Sequence, residues 1–145
     1  LIAEVLEENR LLAQSCEVTL HLESIHEETL LANGPLLVRA ISNLIENGIR
    51  FNHSGGSVKI AVQRQEGWIL IRISDTGIGI PSEELPHIFE RFYRVDKSRD
   101  QHKGGAGLGL SIAAHIVQLH RGRIDTTSIP GMGSSFTIWL PAEKN

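Results

Sequence analysis

The sequence has little of what would place the chain in a disulfide scaffold, a membrane or a nucleic-acid complex. It has one cysteine in 145 residues, so no intrachain disulfide can form and a reducing compartment is expected. Its apolar runs fall well short of the roughly 20 residues that span a bilayer. The net charge of −3 gives no global attraction to nucleic acid or to an anionic membrane surface.

The composition that remains is that of an ordinary globular domain. Hydrophobic residues make up 41% and charged residues 21%, and 145 residues are enough for one domain with a real core. The chain does not begin with methionine, and its first six residues include Glu4 without a basic flank, unlike a signal peptide. We therefore expect a single domain, residues 1–145, that belongs to a longer protein.

The order of the predicted elements indicates an α+β fold. Its strands follow one another in hairpins instead of alternating with helices, which predicts a mixed sheet with helices on one face. The segments are a helix from Ile2 to about Ser15, strands "EVTLHLES" and "TLLA", a helix Pro35–Arg50, strands "SVKIAVQRQ" and "WILIRIS", a short helix capped by Ser82 through "EELPHIFERF", a mobile loop over 93–106, a helix "GLGLSIAAHIVQLH" and a hairpin of "GRIDTTS" and "SSFTIWLP".

The helix Pro35–Arg50 carries a polar arc beside its apolar arc. The apolar positions are Leu37, Ala40, Ile41, Leu44, Ile45 and Gly48, and the polar ones are Asn43, Glu46, Asn47 and Arg50. Asparagine is a poor choice for a merely solvated helix face, although such a face is the alternative. Two amide oxygens one turn apart suit a hard cation such as Mg²⁺, which takes few protein ligands and fills its shell with phosphate and water.

The stretch "DTGIGIP" follows a predicted buried strand and contains one carboxylate, Asp75. A buried carboxylate needs hydrogen-bond donors, and the exocyclic amine of adenine is one candidate. Gly77 and Gly79 would then remove side chains where a flat base lies against the backbone. The alternative is an ordinary turn in which Asp75 accepts a local Asx hydrogen bond.

The stretch "GGAGLGLS" at 104–111 opens a helix on glycines and predicts an anion site formed by free amides and the helix dipole. It is neither a dinucleotide fingerprint nor a P-loop, and a flexible hinge is the alternative. Several basic residues precede it and could line a polyphosphate, or could simply form a solvated loop: Arg91, Arg94, Lys97, Arg99 and Lys103.

Taken in order, four segments resemble the asparagine, first glycine, phenylalanine and second glycine boxes of sensor histidine kinases. They are "NLIENGIRF", "DTGIGIP", "FERFYR" and "GGAGLGLS", and "GMGSSFTIWLP" resembles the terminal hairpin of that family. The resemblance implies a Bergerat-type two-layer α/β sandwich with a mixed, mostly antiparallel sheet of about five strands. Three main helices and a mobile ATP lid would complete the fold, which topoisomerase, mismatch-repair and heat-shock chaperone ATPases share.

The resemblance also implies roles for residues at matching positions. Asp75 would read adenine, Asn47 would bind Mg²⁺ and Asn43 would lie at the triphosphate. Arg50 would contact phosphate, and Phe51 would stack near the base. The remaining ATP-binding positions are Gly77, Gly79, Ile80, Tyr93, Arg94, Gly105, Gly107, Leu108, Gly109 and Leu110, and the implied catalytic set is Asn43, Glu46, Arg50 and Arg94. The chain departs from the family pattern at Asn33, Gly48, Asn52 and Ser134.

Two classes of function compete for this resemblance. One is a kinase module that passes the γ-phosphoryl group to a histidine. The other is an ATP-hydrolysing conformational switch, and an anti-sigma-type serine kinase and a nucleotide-binding pseudoenzyme are further alternatives. Relatives that hydrolyse ATP carry glutamate where this chain has Asn43, and asparagine cannot act as a general base. The pattern therefore favours the kinase.

None of the seven histidines lies in a segment that resembles the phosphoacceptor motif. We expect the dimerisation and phosphoacceptor domain to be absent from this chain and to be its partner, with ATP bound directly and a response regulator acting downstream. No nucleic-acid partner is expected. The isolated domain should be a monomer, a cytoplasmic part of an inner-membrane sensor protein in two-component signal transduction.

Overall fold

The computed structural model describes residues 2–24, 34–93 and 109–142. These ranges form three helices and five strands, which confirms the predicted α+β sandwich. The elements are α1 Ile2–Cys16, β1 Thr19–Ser24, α2 Gly34–Arg50, β2 Ser57–Gln65, β3 Trp68–Asp75, a 3-10 helix Leu85–His87, α3 Gly109–Leu119, β4 Arg123–Ile129 and β5 Gly133–Pro141.

The five strands form one mixed sheet in the order β1-β2-β3-β5-β4. β1 pairs with β2 in parallel, and every other neighbouring pair is antiparallel. Ile73 of β3 lies opposite Ile60 of β2 and opposite Phe136 of β5, so the three central strands bring one apolar row across the sheet. Asp75 lies two residues further along β3 and therefore faces the same side as Ile73.

The helices cover one face of this sheet, and the core lies between the two layers. Burial alternates along β5, where Ser134, Phe136, Ile138 and Leu140 are buried and their neighbours are more exposed. The apolar arc predicted for α2 is confirmed, because every one of its six positions is buried. α2 contacts α1, α3, β2 and β3, so it is the central helix of the layer. No helix within the described ranges is both long enough and apolar enough to cross a membrane.

The helix predicted to begin at Ser82 is wrong in extent. Only Leu85–His87 forms a helix, of the 3-10 type, and its cap residue Glu84 makes no side-chain capping hydrogen bond. Pro86 has no backbone N–H to bond the carbonyl of Ser82, and its ring crowds that carbonyl, so an α-helix that begins at Ser82 is interrupted here. The predicted strand "TLLA" and the loop after Tyr93 lie outside the described residues.

Candidate nucleotide-binding site

Asp75 ends β3 beneath α2, and its carboxylate is held by backbone amides. Oδ1 accepts the amide of Gly77 at 2.8 Å and the amide of Ser134 at 3.2 Å. The first of these is the local Asx bond that the turn interpretation predicted. The Asx bond uses Oδ1, whereas Oδ2 is directed toward Gly48 of α2. Asp75 can therefore form the turn and also accept a hydrogen bond from a ligand.

The surroundings of Asp75 alter its proton affinity. Burial raises the pKa of the Asp75 carboxyl above its ordinary value, and the backbone amides of Gly77 and Ser134 partly offset that rise. A carboxylate that is costly to ionise gains from an additional donor, because each hydrogen bond to the charged form repays part of the desolvation. The amino group of a base is a donor of that kind.

Gly48 explains how α2 comes so close to this carboxylate. A Cβ at this position would lie 3.3 Å from the Asp75 Cβ and 3.3 Å from Val58 Cγ2, with Asp75 Oδ2 at 3.5 Å. An alanine there would require its neighbours to yield by a few tenths of an ångström. The sequence indicates only that Gly48 weakens the helix, whereas the fold uses it as a point of close approach between α2 and β3.

Gly77 and Gly79 are glycines because the protein's own backbone fills the space beside them. A Cβ on Gly77 would overlap the carbonyl oxygen of Phe51, and one on Gly79 would overlap the carbonyl oxygen of Ile129. Gly79 also has a φ of +76°, a region that side chains disfavour. The missing side chains therefore permit docking of the turn between the end of α2 and the β4–β5 hairpin, a reason that differs from the predicted one.

Ser128 fixes the other side of the same turn, and sequence reasoning missed it. Its Oγ accepts the amide of Ile80 at 2.7 Å, donates to the carbonyl of Gly133 at 3.1 Å and lies 2.8 Å from Ser134 Oγ. Since Ser134 in turn donates its amide to Asp75, Ser128 ties the glycine turn to the hairpin that supports the carboxylate. Ser128 lies opposite Ser134 in the β4–β5 hairpin, so a correct prediction of the strand register would have identified it.

The polar arc of α2 lies at the border of the α2–α3 contact. Asn43 Nδ2 donates to the carbonyl of Gly109, the first residue of α3, at 3.1 Å. Because the side-chain nitrogen of Asn43 makes this bond, its side-chain oxygen points away from the Gly109 carbonyl. Asn47 lies one turn later and is half-buried. The structure thus brings the predicted triphosphate residue beside the helix start that was predicted to bind an anion.

Glu46 and Arg50 form an ion pair along the same helix. Arg50 Nε lies 3.1 Å from Glu46 Oε2, and the side chains are 33% and 41% exposed respectively. Because the pair spans one helical turn and both groups are well exposed, it contributes only about 0.3–0.5 kcal/mol to stability. Its larger effect is geometric, since it restricts where the guanidinium of Arg50 can lie.

Asn52 links the end of α2 to the glycine turn and was noted in the sequence only as a departure from the family pattern. Its side chain is 7% exposed and donates to the carbonyl of Ser57 at 3.0 Å. Its Oδ1 accepts the amide of His53 at 2.9 Å and the hydroxyl of Thr76 at 3.3 Å. Thr76 directly follows Asp75.

The other predicted site residues are distributed as follows. Ile80 is buried and Leu110 packs against the core. Phe51 contributes its carbonyl, which accepts the amide of Ile78 at 3.0 Å, and its stacking role stays a prediction. The Tyr93 ring lies 5.5 Å from that of His87. Four positions, Arg94, Gly105, Gly107 and Leu108, lie outside the described residues.

The phenylalanines of "FERFYR" differ in their surroundings. Phe89 meets Phe136 of the core edge-on, with ring centroids 6.3 Å apart. Phe92 is 61% exposed and has the Arg91 guanidinium 5.5 Å from its ring centroid. Phe89 therefore anchors this segment to the sheet, whereas the Phe92 ring is exposed and contacts Arg91.

Comparison with known proteins places this geometry in a family. The model of the histidine kinase-, DNA gyrase B- and HSP90-like ATPases matches residues 32–144. The sensor-like histidine kinase SenX3 of Mycolicibacterium smegmatis is 36% identical over 141 residues, which is 97% of this chain and 37% of that protein. The sensor histidine kinase RppB of Synechocystis is 48% identical over 109 residues, 75% of this chain and 24% of the relative.

The fold comparison agrees. The mycobacterial sensor histidine kinase MprB superposes with a TM-score of 0.84 at 24% identity, covering 99% of this chain and 97% of the other. The chain therefore belongs to the family of histidine kinase-, DNA gyrase B- and HSP90-like ATPases, as its four boxes predicted. Its curated relatives are sensor histidine kinases, and it spans only 37% of the length of SenX3.

Proposed function

We propose that this domain binds Mg²⁺-ATP and donates the γ-phosphoryl group to a histidine on a dimerisation and phosphoacceptor domain outside residues 1–145. The observation that carries the proposal is the position of Asp75. Its carboxylate ends a buried strand against Gly48 of α2, and the same helix carries Asn43 and Asn47 on its polar arc. One helix thus borders an acceptor for the base, supplies an amide oxygen for the metal and supplies side-chain N–H donors for phosphate.

The hydrogen bonds of Asp75 favour adenine over guanine. Oδ1 is occupied by two backbone amides, so Oδ2 is the atom that accepts from a ligand. Adenine presents an amino donor at the position where guanine presents a carbonyl oxygen, and two acceptors facing each other in a buried site repel. The family description supports ATP as the nucleotide.

The donor set fits Mg²⁺ bound mainly through phosphate. Within residues 2–24, 34–93 and 109–142, no three histidine, cysteine or carboxylate side chains come together to hold a metal ion. Mg²⁺ needs few protein ligands when phosphate and water complete its octahedron, and the amide oxygen of Asn47 is a ligand of the right hardness. When bound, the ion would neutralise charge on the β- and γ-phosphates.

The side chains of this site suit phosphoryl transfer better than hydrolysis. The Asn43 amide cannot take a proton from water, and Glu46 has one carboxylate oxygen bound to Arg50. Phosphoryl transfer asks mostly for positioning and charge compensation, which Arg50 and the start of α3 beside Asn43 can offer. The nucleophile would be an imidazole from the other domain. An ATP-hydrolysing switch and a serine kinase are the competing functions.

Binding is tested by titration calorimetry of the domain with a non-hydrolysable ATP analogue, with and without Mg²⁺. We expect binding of modest affinity that Mg²⁺ strengthens. Asn47→Ala should lose most of the Mg²⁺ dependence and keep metal-free binding. The absence of any heat at millimolar nucleotide would contradict the proposal.

Transfer is tested with labelled ATP, with and without a separately expressed helical hairpin from the same full-length protein. We expect acid-labile, base-stable label on the hairpin and little free phosphate from the domain alone. Fast phosphate release that the hairpin does not change would favour the ATP-hydrolysing switch. Acid-stable label on a hydroxyl side chain would favour the serine kinase.

A further inference from the structure

The described part of the chain buries two asparagine side chains, Asn9 at 4% exposure and Asn52 at 7%. Each uses its amide nitrogen on a backbone carbonyl: Asn9 on Val5 at 2.8 Å and Asn52 on Ser57 at 3.0 Å. Asn9 also donates to Ser42 Oγ, so it joins α1 to α2. Asn52 instead joins the residues just after α2 to the start of β2 and to the turn that follows Asp75.

The proton count of the Asn52 network leaves one consistent arrangement. The Ser57 carbonyl receives both Asn52 Nδ2 at 3.0 Å and the Thr76 amide at 3.1 Å, which uses its two lone pairs. The Thr76 hydroxyl accepts the Ser57 amide at 2.9 Å and lies 3.3 Å from Asn52 Oδ1 and 3.4 Å from the Ser57 carbonyl oxygen. Since that carbonyl already receives two donors, the hydroxyl proton goes to Asn52 Oδ1. That oxygen also accepts the His53 amide, which fixes the orientation of the Asn52 amide.

Gly56 is fitted to this network. A Cβ at Gly56 would overlap Asn52 Oδ1 and would lie 2.9 Å from Thr76 Oγ1. Its φ is not in the left-handed region, so the side chain of Asn52, and not the backbone conformation, is what requires glycine there. Asn52 and Gly56 thus behave as a matched pair, in which the longer side chain at one position uses the space left at the other.

We propose that Asn52 is a positioning residue for nucleotide binding, acting through Thr76 to hold the Asp75–Gly77 turn at a fixed place relative to α2. The inference rests on the proposed function, since α2 carries the predicted metal and phosphate ligands and the turn carries the predicted base acceptor. One nucleotide must contact α2 through its phosphates and the Asp75–Gly77 turn through its base at the same time. The hydrogen bonds that join α2 to this turn therefore determine how accurately Asp75 is placed to bind adenine when the phosphates are bound.

The test compares Asn52→Ala with Asn9→Ala by calorimetry, using Mg²⁺-bound non-hydrolysable analogues of ATP and GTP and a thermal unfolding curve for each variant. Losing the Thr76 anchor should weaken ATP binding by about fivefold and leave the weaker GTP binding unchanged. The ATP-to-GTP affinity ratio therefore falls. Asn9→Ala should lower the unfolding temperature by a comparable amount and keep the wild-type ratio.

Thr76→Val provides a second route if Asn52→Ala does not fold, because Thr76 is exposed and the change is nearly isosteric. It should lower the same ratio, and the double variant should lose no more than the larger single effect, since both act through one bond. A wild-type ratio in folded Asn52→Ala or in Thr76→Val would overturn the inference. Failure of the wild-type domain to bind ATP would overturn the proposed function itself, and this inference with it.

Discussion

Two neighbouring rungs of the β3–β5 ladder carry polar pairs that face opposite sides of the sheet. Asp75 lies opposite Ser134 on the side of the helices, and Ser74 lies opposite Ser135 on the open side. The Ser74 and Ser135 hydroxyls are 2.9 Å apart, close to the 2.8 Å between Ser128 and Ser134 on the inner face. Similar hydrogen-bonding groups at similar spacing therefore lie on both faces.

The two faces differ in what covers them. On the inner face Asp75 lies against Gly48 of α2, and burial raises the pKa of its carboxyl. The outer face carries the two tryptophans, with rings 6.0 Å apart and the Arg123 guanidinium 4.3 Å from the Trp139 centroid, and none of the three described helices packs on it. Hydroxyl pairs lie on both faces and therefore do not distinguish them, whereas only the covered face adds a carboxylate, Asp75, to its pair. The inner face thus combines a carboxylate with coverage by α2, which shields that carboxylate from water.

The largest effect is expected for Asp75→Asn, which replaces the inner acceptor by an amide with an ambiguous orientation. A hydrogen bond to a charged group contributes about 1.5–3 kcal/mol, so affinity for ATP should fall tenfold or more, and discrimination against GTP should weaken. Calorimetry measures both. Ser74→Ala on the outer face is the matched control and should bind ATP as the wild type does. Unchanged affinity in folded Asp75→Asn would leave this residue with the turn-forming role alone.

Next in size is the steric requirement for Gly77. Its Cβ would overlap the Phe51 carbonyl, so Gly77→Ala should lower the free energy of unfolding by about 1–3 kcal/mol, measured by urea denaturation. Gly34→Ala is the control, because a Cβ at Gly34 would meet nothing within 4 Å. It should change stability by less than about 0.5 kcal/mol. Equal losses in the two variants would contradict the packing explanation.

A smaller effect on ATP affinity is expected to distinguish Ser128→Ala from Ser135→Ala. Ser128→Ala leaves the Ile80 amide without its acceptor and loosens the glycine turn, so ATP affinity should fall about fivefold. Ser135→Ala removes an outer-face hydroxyl of the same kind and should change ATP affinity by less than about twofold. Calorimetry on both variants checks the difference. The same loss in both would mean that the hairpin as a whole, and not Ser128, supports the site.

The smallest expected effect is a pH dependence of stability without nucleotide. Because the folded pKa of Asp75 is raised, the folded domain binds more protons than the unfolded chain between the ordinary and the raised value. Its contribution to stability is therefore greatest below the ordinary pKa and declines as the pH rises through the folded pKa. Asp75→Asn should gain stability over the wild type across that window, as urea denaturation at several pH values would show. A difference that is constant with pH would contradict this.

Local patterns predicted most of the secondary structure and the two arcs of α2. The period of 3.6 residues assigned Leu37, Leu44 and Gly48 to the buried arc and Asn43 and Asn47 to its border, and the structure agrees. Such patterns hold because a helix places residues on a face by local geometry alone. The same reasoning overextended the helix after Ser82, since apolar spacing outweighed the effect of Pro86.

Short motifs and their order were enough to predict the family and the order of the elements, and they also predict Asp75 as the acceptor for adenine. The reason why Gly77 and Gly79 are required, and the residues that hold the Asp75 carboxylate and its turn in place, became visible only in the folded chain. Ser128 and Asn52 act through partners up to 48 residues away, and those contacts exist only once the strand register and the path of α2 are set. The physical reason is that a hydrogen bond depends on distances in space of about 3 Å, which sequence spacing does not specify across a sheet.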